Sequence, residues 1–365
     1  MQPRSLGGAK KILDLVFFES SRLRGCICAL AGAFLVCAGT GASAQTPPQP
    51  QFTDRLDVAR VIVDVRALDS MGRAIQGLAA GDFTVKFGDQ PARVESATWV
   101  GAASGEPTAA EPAALGFPEG AVPRGRLIVF LFQKDLEPRR IAGLMRMLFR
   151  AKTFLDTLGA DDRVAVVSFD SHLKIWLDFT NDRAEVRRVL ERGLLLERPR
   201  PIGEPESEIS LTRTLSQDAG RRAYPIEKGL RLIGEALEPL PGSKSIVLFG
   251  HGFGRYTANG VMMEKGYGEA LATLQRARAA VFSIDVTLAD YHSLEVGLQS
   301  VSEETGGFYE RSFHFPDRAV QRLVGALAGH YVLLVEAPER ASEWTDVSVK
   351  VTRRGATVLA RTAAR

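Results

Sequence analysis

Two short stretches carry the side chains most able to do chemistry. Gln133-Lys134-Asp135-Leu136-Glu137 offers an amide oxygen and two carboxylates, and Gly250-His251-Gly252-Phe253-Gly254-Arg255 offers an imidazole and a guanidinium among glycines. Oxygen donors of the first kind suit hard cations such as Mg²⁺, whereas an imidazole moves the preference toward Zn²⁺. Asp135 and Glu137 would also serve as an acid–base pair if the fold set them facing each other, although a solvated loop accounts for them too. Tyr224, Arg255 and Tyr256 fall on or beside the same rim, and an Arg/Tyr set on loops is the composition of a protein-contact patch.

Enzyme chemistry finds no footing. There is no G-x-S-x-G nucleophile elbow and no HExxH, and His172, His251, His292, His314 and His330 show no metal-type spacing. The glycines of GHGFG are wrongly spaced for a dinucleotide loop and open no helix, so they read as turn glycines beside a binding face. No nucleophile, base and orienting group can be assembled, and the chain is expected not to be an enzyme.

The elements that position these stretches are read from periodicity. Leu127 to Phe132 is an uninterrupted apolar run, the signature of a strand buried on both faces of a parallel sheet. Apolar residues at helical spacing follow, from Ile141 to Leu158. VAVVSFD, KSIVLF, AVFSIDV and GFYER continue as strands between helices near 224–237, 268–279, 291–304 and 316–329. His172 to Phe179 reads as an edge strand, and Asn181 as the cap of a helix through Leu190. Leu194 to Arg222 has no period and reads as a long loop. Strands alternating with helices predict an α/β, doubly wound, mostly parallel sheet, with ligands at the carboxyl ends of its strands. On either side the chain is β. Val61, Val63 and Val65 alternate with Ile62, Asp64 and Arg66, and turn signals divide residues 56–100 into short strands. HYVLLVEAP and DVSVKVTRRGATVLART close the chain, the second as a hairpin through Arg353-Arg354-Gly355.

Of 365 residues, 45% are hydrophobic and 24% charged, ordinary values for a globular protein. The net charge of +3 comes from residues 1–44; without them 41 basic residues face 41 acidic ones. That balance leaves no electrostatic footprint for nucleic acid or an anionic membrane. Residues 1–44 read as a secretory signal cleaved after Ala44, with an uncleaved anchor as the competing reading: basic residues precede CICALAGAFLVCAGTGASA, which ends on the small-x-small triplet Ala42-Ser43-Ala44. All three cysteines, Cys26, Cys28 and Cys37, fall inside it, so the mature chain would hold neither disulfide nor thiol ligand. The expected location is secreted or periplasmic.

RLIVFLF, DDRVAVVSFD, PGSKSIVLFGHGF and AVFSIDV resemble the successive strands of a von Willebrand factor type A (VWA) domain. The flanks VIVDVRALDSMGRAIQGLAAGDFTVKFGDQPARV, HYVLLVEAP and WTDVSVKVTRRGATVLART are similar to the exported bacterial VWFA-related family of acidobacterial type. The resemblance implies a Rossmann-like VWA core between β segments that pack together as a small sandwich. It divides the chain into a signal (1–44), a linker (45–55), an N-terminal β module (56–100), a second linker (101–124), the VWA domain (125–330) and a C-terminal β hairpin (331–365). It also implies binding rather than catalysis. VWA domains hold a divalent cation with a D-x-S-x-S loop, a Thr from a second loop and an Asp before Gly on a third. Here these slots read Gln133-Lys134-Asp135-Leu136-Glu137, Arg221-Arg222-Ala223 and His251-Gly252. Losing the carboxylates that would touch the metal removes the main compensation for dehydrating Mg²⁺. The expectation is therefore a degenerate face with no metal and no cofactor. Gln133, Asp135, Glu137, His251 and Arg255 would form the rim that contacts a protein partner, with no nucleic acid, membrane or small-molecule substrate. Were a cation retained in a rearranged site, Asp135, Glu137 and His251 would hold it. The alternative is a structural scaffold within an envelope assembly, acting through the β module or the 194–222 loop.

Overall fold

The computed structural model describes residues 60–101, 125–205, 207–338 and 345–364. The expected signal, the first linker and all of the second beyond Gly101 lie outside them. In chain order the strands begin with β1 (Arg60–Leu68), β2 (Phe83–Phe87), β3 (Gln90–Ala92), β4 (Val94–Gly101) and β5 (Leu127–Gln133). Helix α1 (Pro138–Leu155), strands β6 (Arg163–Phe169) and β7 (Leu173–Thr180), and helices α2 (Arg183–Arg188), α3 (Gln217–Arg221) and α4 (Ile226–Leu237) come next. Strands β8 (Lys244–Gly250), β9 (Arg255–Thr257) and β10 (Gly260–Met262) precede α5 (Tyr267–Arg276), β11 (Ala279–Asp285), α6 (Glu295–Thr305), β12 (Tyr309–Arg311) and α7 (Pro316–Leu327). The last strands are β13 (Gly329–Glu336), β14 (Thr345–Val351), β15 (Thr357–Ala360) and β16 (Ala363–Ala364). No helix of the described residues is long and apolar enough to cross a membrane.

Six strands form the central sheet in the order β12-β11-β8-β5-β6-β7, parallel throughout except at β7. The alternation of β5 explains its apolar run. Ile128, Phe130 and Phe132 face a core built with α1, α2 and α7, while Leu127, Val129 and Leu131 face one built with α4, α5 and α6. With helices on both faces, every position of β5 is buried. The chain winds outward in both directions from β5, so the crevice between β5 and β8 opens at their carboxyl ends. The expected α/β, doubly wound, mostly parallel sheet is the observed one.

The flanking segments build two antiparallel four-stranded sheets, β15-β1-β13-β4 and β16-β14-β2-β3. Val63, Val65, Tyr331 and Leu333 of the first pack against Phe83, Val85, Phe87 and Val347 of the second, which makes the expected sandwich. Neither half of the chain could make it alone, because each sheet mixes strands from both ends. The expected hairpin through Arg353-Arg354-Gly355 does not pair. β14 joins β2 and β15 joins β1, so the turn carries the chain from one sheet to the other. Each strand finds an open edge in a different sheet and buries its apolar side between the two.

The second face of β1 is also covered. Asp64 and Arg66 lie against the α/β core and are buried despite their charge. Asp64 accepts two bonds from the Arg278 guanidinium, one of them 2.7 Å from Nε. Arg66 donates to the Ala326 carbonyl at 3.2 Å and lies over the Phe282 ring. Arg361 donates to the Ile62 and Gln275 carbonyls, stitching sandwich to core. His330 Nε2 stands 3.5 Å from Asp64, and burial pushes its pKa down to about 3, so the ring is neutral.

Two local expectations shift. Asp182, not Asn181, caps α2, its carboxylate accepting from the Ala184 and Glu185 N–H groups. The helix then runs on through a π turn, Val189–Gly193, and ends at Leu196. The 194–222 stretch is pinned to the edge strand: Asp178 takes bonds from Leu211 N–H at 2.7 Å and the hydroxyls of Ser210 and Thr212.

Candidate binding face at the carboxyl edge of the sheet

Gln133 is the last residue of β5 and is buried, not a rim residue. Its Oε1 accepts from His251 N–H at 3.0 Å, and its Nε2 donates to the Gly252 carbonyl at 2.8 Å. One amide therefore clamps the loop leaving β8 onto the end of β5. Gly252 is required there: its φ is +102°, and a Cβ would sit 2.5 Å from the Leu294 carbonyl oxygen. His251 follows the clamp inward. Its Nε2 is 3.9 Å from Asp135 Oδ2, and its buried Nδ1 has no hydrogen-bond partner among the described residues. Burial, aided by the Arg140 charge, pushes its pKa down to about 4 against the opposing pull of Asp135 and Asp285. The ring is neutral at pH 7.

Asp135 and Glu137 are engaged locally. Asp135 folds back on the Leu136 and Glu137 N–H groups and pairs with Arg140. Burial works to raise its pKa, but Arg140 and the Glu137 N–H outweigh it and hold the carboxyl below its usual range. Glu137 is the N-cap of α1, accepting from Arg140 N–H at 2.9 Å with Pro138 in the first turn. Lys134 points away from the slot, donating to the Leu194 carbonyl at 2.7 Å beside Trp176. Gln133, Asp135, Glu137 and His251 thus converge, but their polar atoms are spent on neighbouring loop backbone and on Arg140. Arg255 stands apart on β9, exposed, with Glu264 at 3.8 Å as its ionic partner among the described residues.

The oxygen donors of this slot are engaged by the protein itself: both ends of the Gln133 amide are committed, Asp135 pairs with Arg140, and one oxygen of Glu137 caps α1.

A second polar group at the same edge escaped the sequence reading. Asp285 ends β11 and is buried; its Oδ1 accepts from Thr287 N–H at 2.8 Å, and its Oδ2 lies 2.6 Å from His292 Nε2 and 2.9 Å from the Tyr309 hydroxyl. That hydroxyl also reaches Glu295 Oε2 at 3.0 Å. Arg311 grips Glu295 with Nε at 3.0 Å and Nη2 at 2.7 Å, and the Tyr291 ring covers its guanidinium at 4.5 Å. Burial favours the neutral acid at Asp285, but His292, the Thr287 N–H and Tyr309 together hold it below its usual range. His292 is therefore a bonded member of a network and not a surface residue. The available signal was the i,i+3 pair His292 and Glu295 next to a strand that ends in Asp.

No protein-family model and no curated protein matches the sequence. Solved structures resemble the fold at a distance. An aerotolerance-related membrane protein from Bacteroides fragilis is 15% identical, with 55% of this chain and 96% of that one covered and a TM-score of 0.37. A von Willebrand factor type A protein from Catenulispora acidiphila is 10% identical over 85% and 74% of the two chains, with a TM-score of 0.38. The vWF domain of a type V pili tip protein from Porphyromonas gingivalis is 11% identical over 56% and 94%, with a TM-score of 0.37. Likeness at this level carries no function to this chain, and the strand order alone defines the architecture.

Proposed function

We propose that the chain is a non-enzymatic, exported protein-binding module of VWA type, whose contact face is the carboxyl edge of the parallel sheet and works without a cation in the central slot. The observation that carries this reading is where exposed hydrophobic side chains lie. Leu136, Tyr224, Tyr256, Met262, Tyr291 and Phe315 are each more than half exposed. Leu136, Tyr224, Tyr291 and Phe315 sit on loops that leave a parallel strand or enter a helix at that same edge, and Tyr256 and Met262 sit on the β9–β10 hairpin that follows β8. These are six of the ten large hydrophobic side chains that are more than half exposed among the described residues; such a gathering marks an interaction surface, and tyrosine is among the residue types enriched at its energetic centre. The clamp by Gln133 and the cap by Glu137 fix the loops that carry them. Arg255 adds a charge at the border, and Gln133, Glu137 and His251 act by shaping the face and not by touching the partner.

The test is capture of envelope proteins on the immobilised chain. A partner held by the native chain and lost at least tenfold when Tyr256, Tyr291 and Phe315 become Ser, yet kept when the exposed Met145 and Phe149 of α1 become Ser, is the expected result. Equal retention by both variants would overturn the assignment of the face. Millimolar Mg²⁺ is expected to leave the melting temperature unchanged; a shift abolished by Asp135→Ala would return a cation to the slot.

A further inference from the structure

Asp285, His292 and Glu295 bring one oxygen, one nitrogen and one oxygen within 4.8 Å of one another. We propose that these three side chains form a binding site for a first-row divalent cation, with Zn²⁺ the preferred ion, at the corner of the carboxyl edge between β11 and α6. The site is distinct from the central slot and uses none of Asp135, Glu137 or His251.

The donor set argues for the ion. One imidazole with two carboxylates matches Zn²⁺, which takes three protein ligands and leaves a fourth position open, whereas Mg²⁺ and Ca²⁺ favour oxygen alone. The surroundings have the form of a metal centre's supporting layer. The Thr287 N–H fixes one oxygen of Asp285, the Tyr309 hydroxyl spans the two carboxylates, and Arg311 holds Glu295 through both of its bonds. Ligating carboxylates are held in this way so that their geometry is set before the ion arrives. The three ligands come from separate places: the end of a buried strand, the loop after it and the first turn of α6. Asp285 is closed to solvent, while the side chains of His292 and Glu295 remain 18% and 12% exposed, which gives the ion an approach. In the metal-free protein the 2.6 Å contact between His292 Nε2 and Asp285 Oδ2 holds a proton. The cation takes its place as His292 adopts the tautomer protonated on Nδ1, so that Nε2 and the Asp285 carboxylate both present lone pairs.

The inference stands apart from the protein-binding reading, because the metal alone is the probe and no partner enters the measurement. The purified chain, stripped with chelator and desalted, is titrated with ZnCl₂ by calorimetry and with CoCl₂ by visible absorption. One Zn²⁺ per chain and Co²⁺ bands in the visible are expected. His292→Asn and Glu295→Gln should each abolish both signals with the melting curve of the metal-free protein retained, and Tyr309→Phe should weaken binding by about 10–100-fold through the supporting layer. His251→Ala and His314→Ala should bind like the native chain. Absence of stoichiometric Zn²⁺ binding by the native chain would overturn the proposal whatever the variants do. Binding that survives both His292→Asn and Glu295→Gln would overturn it as well.

Discussion

Arg278, immediately before β11, and Gln133, at the end of β5, sit at opposite ends of the same sheet, and each anchors a buried polar knot. At the amino end the knot is ionic: Asp64, Arg66, Arg278 and Arg361 lie between sandwich and core with His330 neutral beside them. At the carboxyl end the knot is neutral: an amide bonds two backbone groups, and an uncharged imidazole lies beneath. Charge sealed between two layers serves attachment, since no ligand reaches it and breaking it leaves a desolvated ion. Neutral bonds at an edge hold loops in shape while the surface beyond stays free for contact. Perturbed ionisation does not single out the working surface here, because groups at the joint, His330 and Asp64, and groups at the carboxyl edge, His251 and Tyr309, are all displaced by burial and their neighbours.

The largest test of this contrast is Asp64→Ala. Removing the carboxylate that meets Arg278 should cost about 3–5 kcal/mol in urea unfolding, and a cost near zero would mean the seam is not what joins the layers. Acid should act at both knots. His330 and His251 are held neutral with pKa values of about 3 and about 4, below the ordinary 6.5, so the unfolded chain binds more protons between those limits. Stability is then full above pH 6.5 and falls as pH drops toward 4, and Asp64, whose pKa is also held low, adds a further loss below about 3.8. Melting curves between pH 7.5 and 4.5 should show this slope, with His330→Gln flattening it more than His251→Gln. Gln133→Leu should cost about 1–3 kcal/mol by orphaning two buried backbone groups, with faster amide exchange at His251. Glu137→Ala, the loss of a cap, should cost about 1 kcal/mol. At the far end of the scale, Arg255→Ala should stay within about 0.5 kcal/mol, because an exposed pair at 3.8 Å contributes little.

Periodicity carried the architecture because long buried strands leave no ambiguity. Leu127 to Phe132 can be apolar throughout only where both faces are covered. The same reasoning is silent at β1, where a polar alternation cannot distinguish solvent from a second layer, and Asp64 and Arg66 are buried. The Arg353-Arg354-Gly355 turn looked local, yet pairing was decided by open edges elsewhere in the chain. At the candidate face the slot was legible but its roles were not. Gln133 stands on a loop in sequence and inside a strand in space, and Glu137 reads as a ligand until the helix it caps is seen. His292 was passed over because a search for paired histidines cannot see partners supplied by a strand end and by a helix one turn further on.

The pairing of β1 with β13, which brings Arg60 opposite Glu336, also sets an order of events during synthesis. β1 to β4 leave the ribosome with both their sheets half made, and the edges that β13, β14 and β15 will fill remain open until nearly the whole chain has been translated. The α/β core, whose strand partners lie nearer in sequence than those of the sandwich, can close first, and the sandwich then forms around it as the slower, less local step. A chain cut short after α7 would keep its parallel sheet and leave β1 and β2 as sticky edges, so truncation should produce aggregation and not a smaller soluble protein.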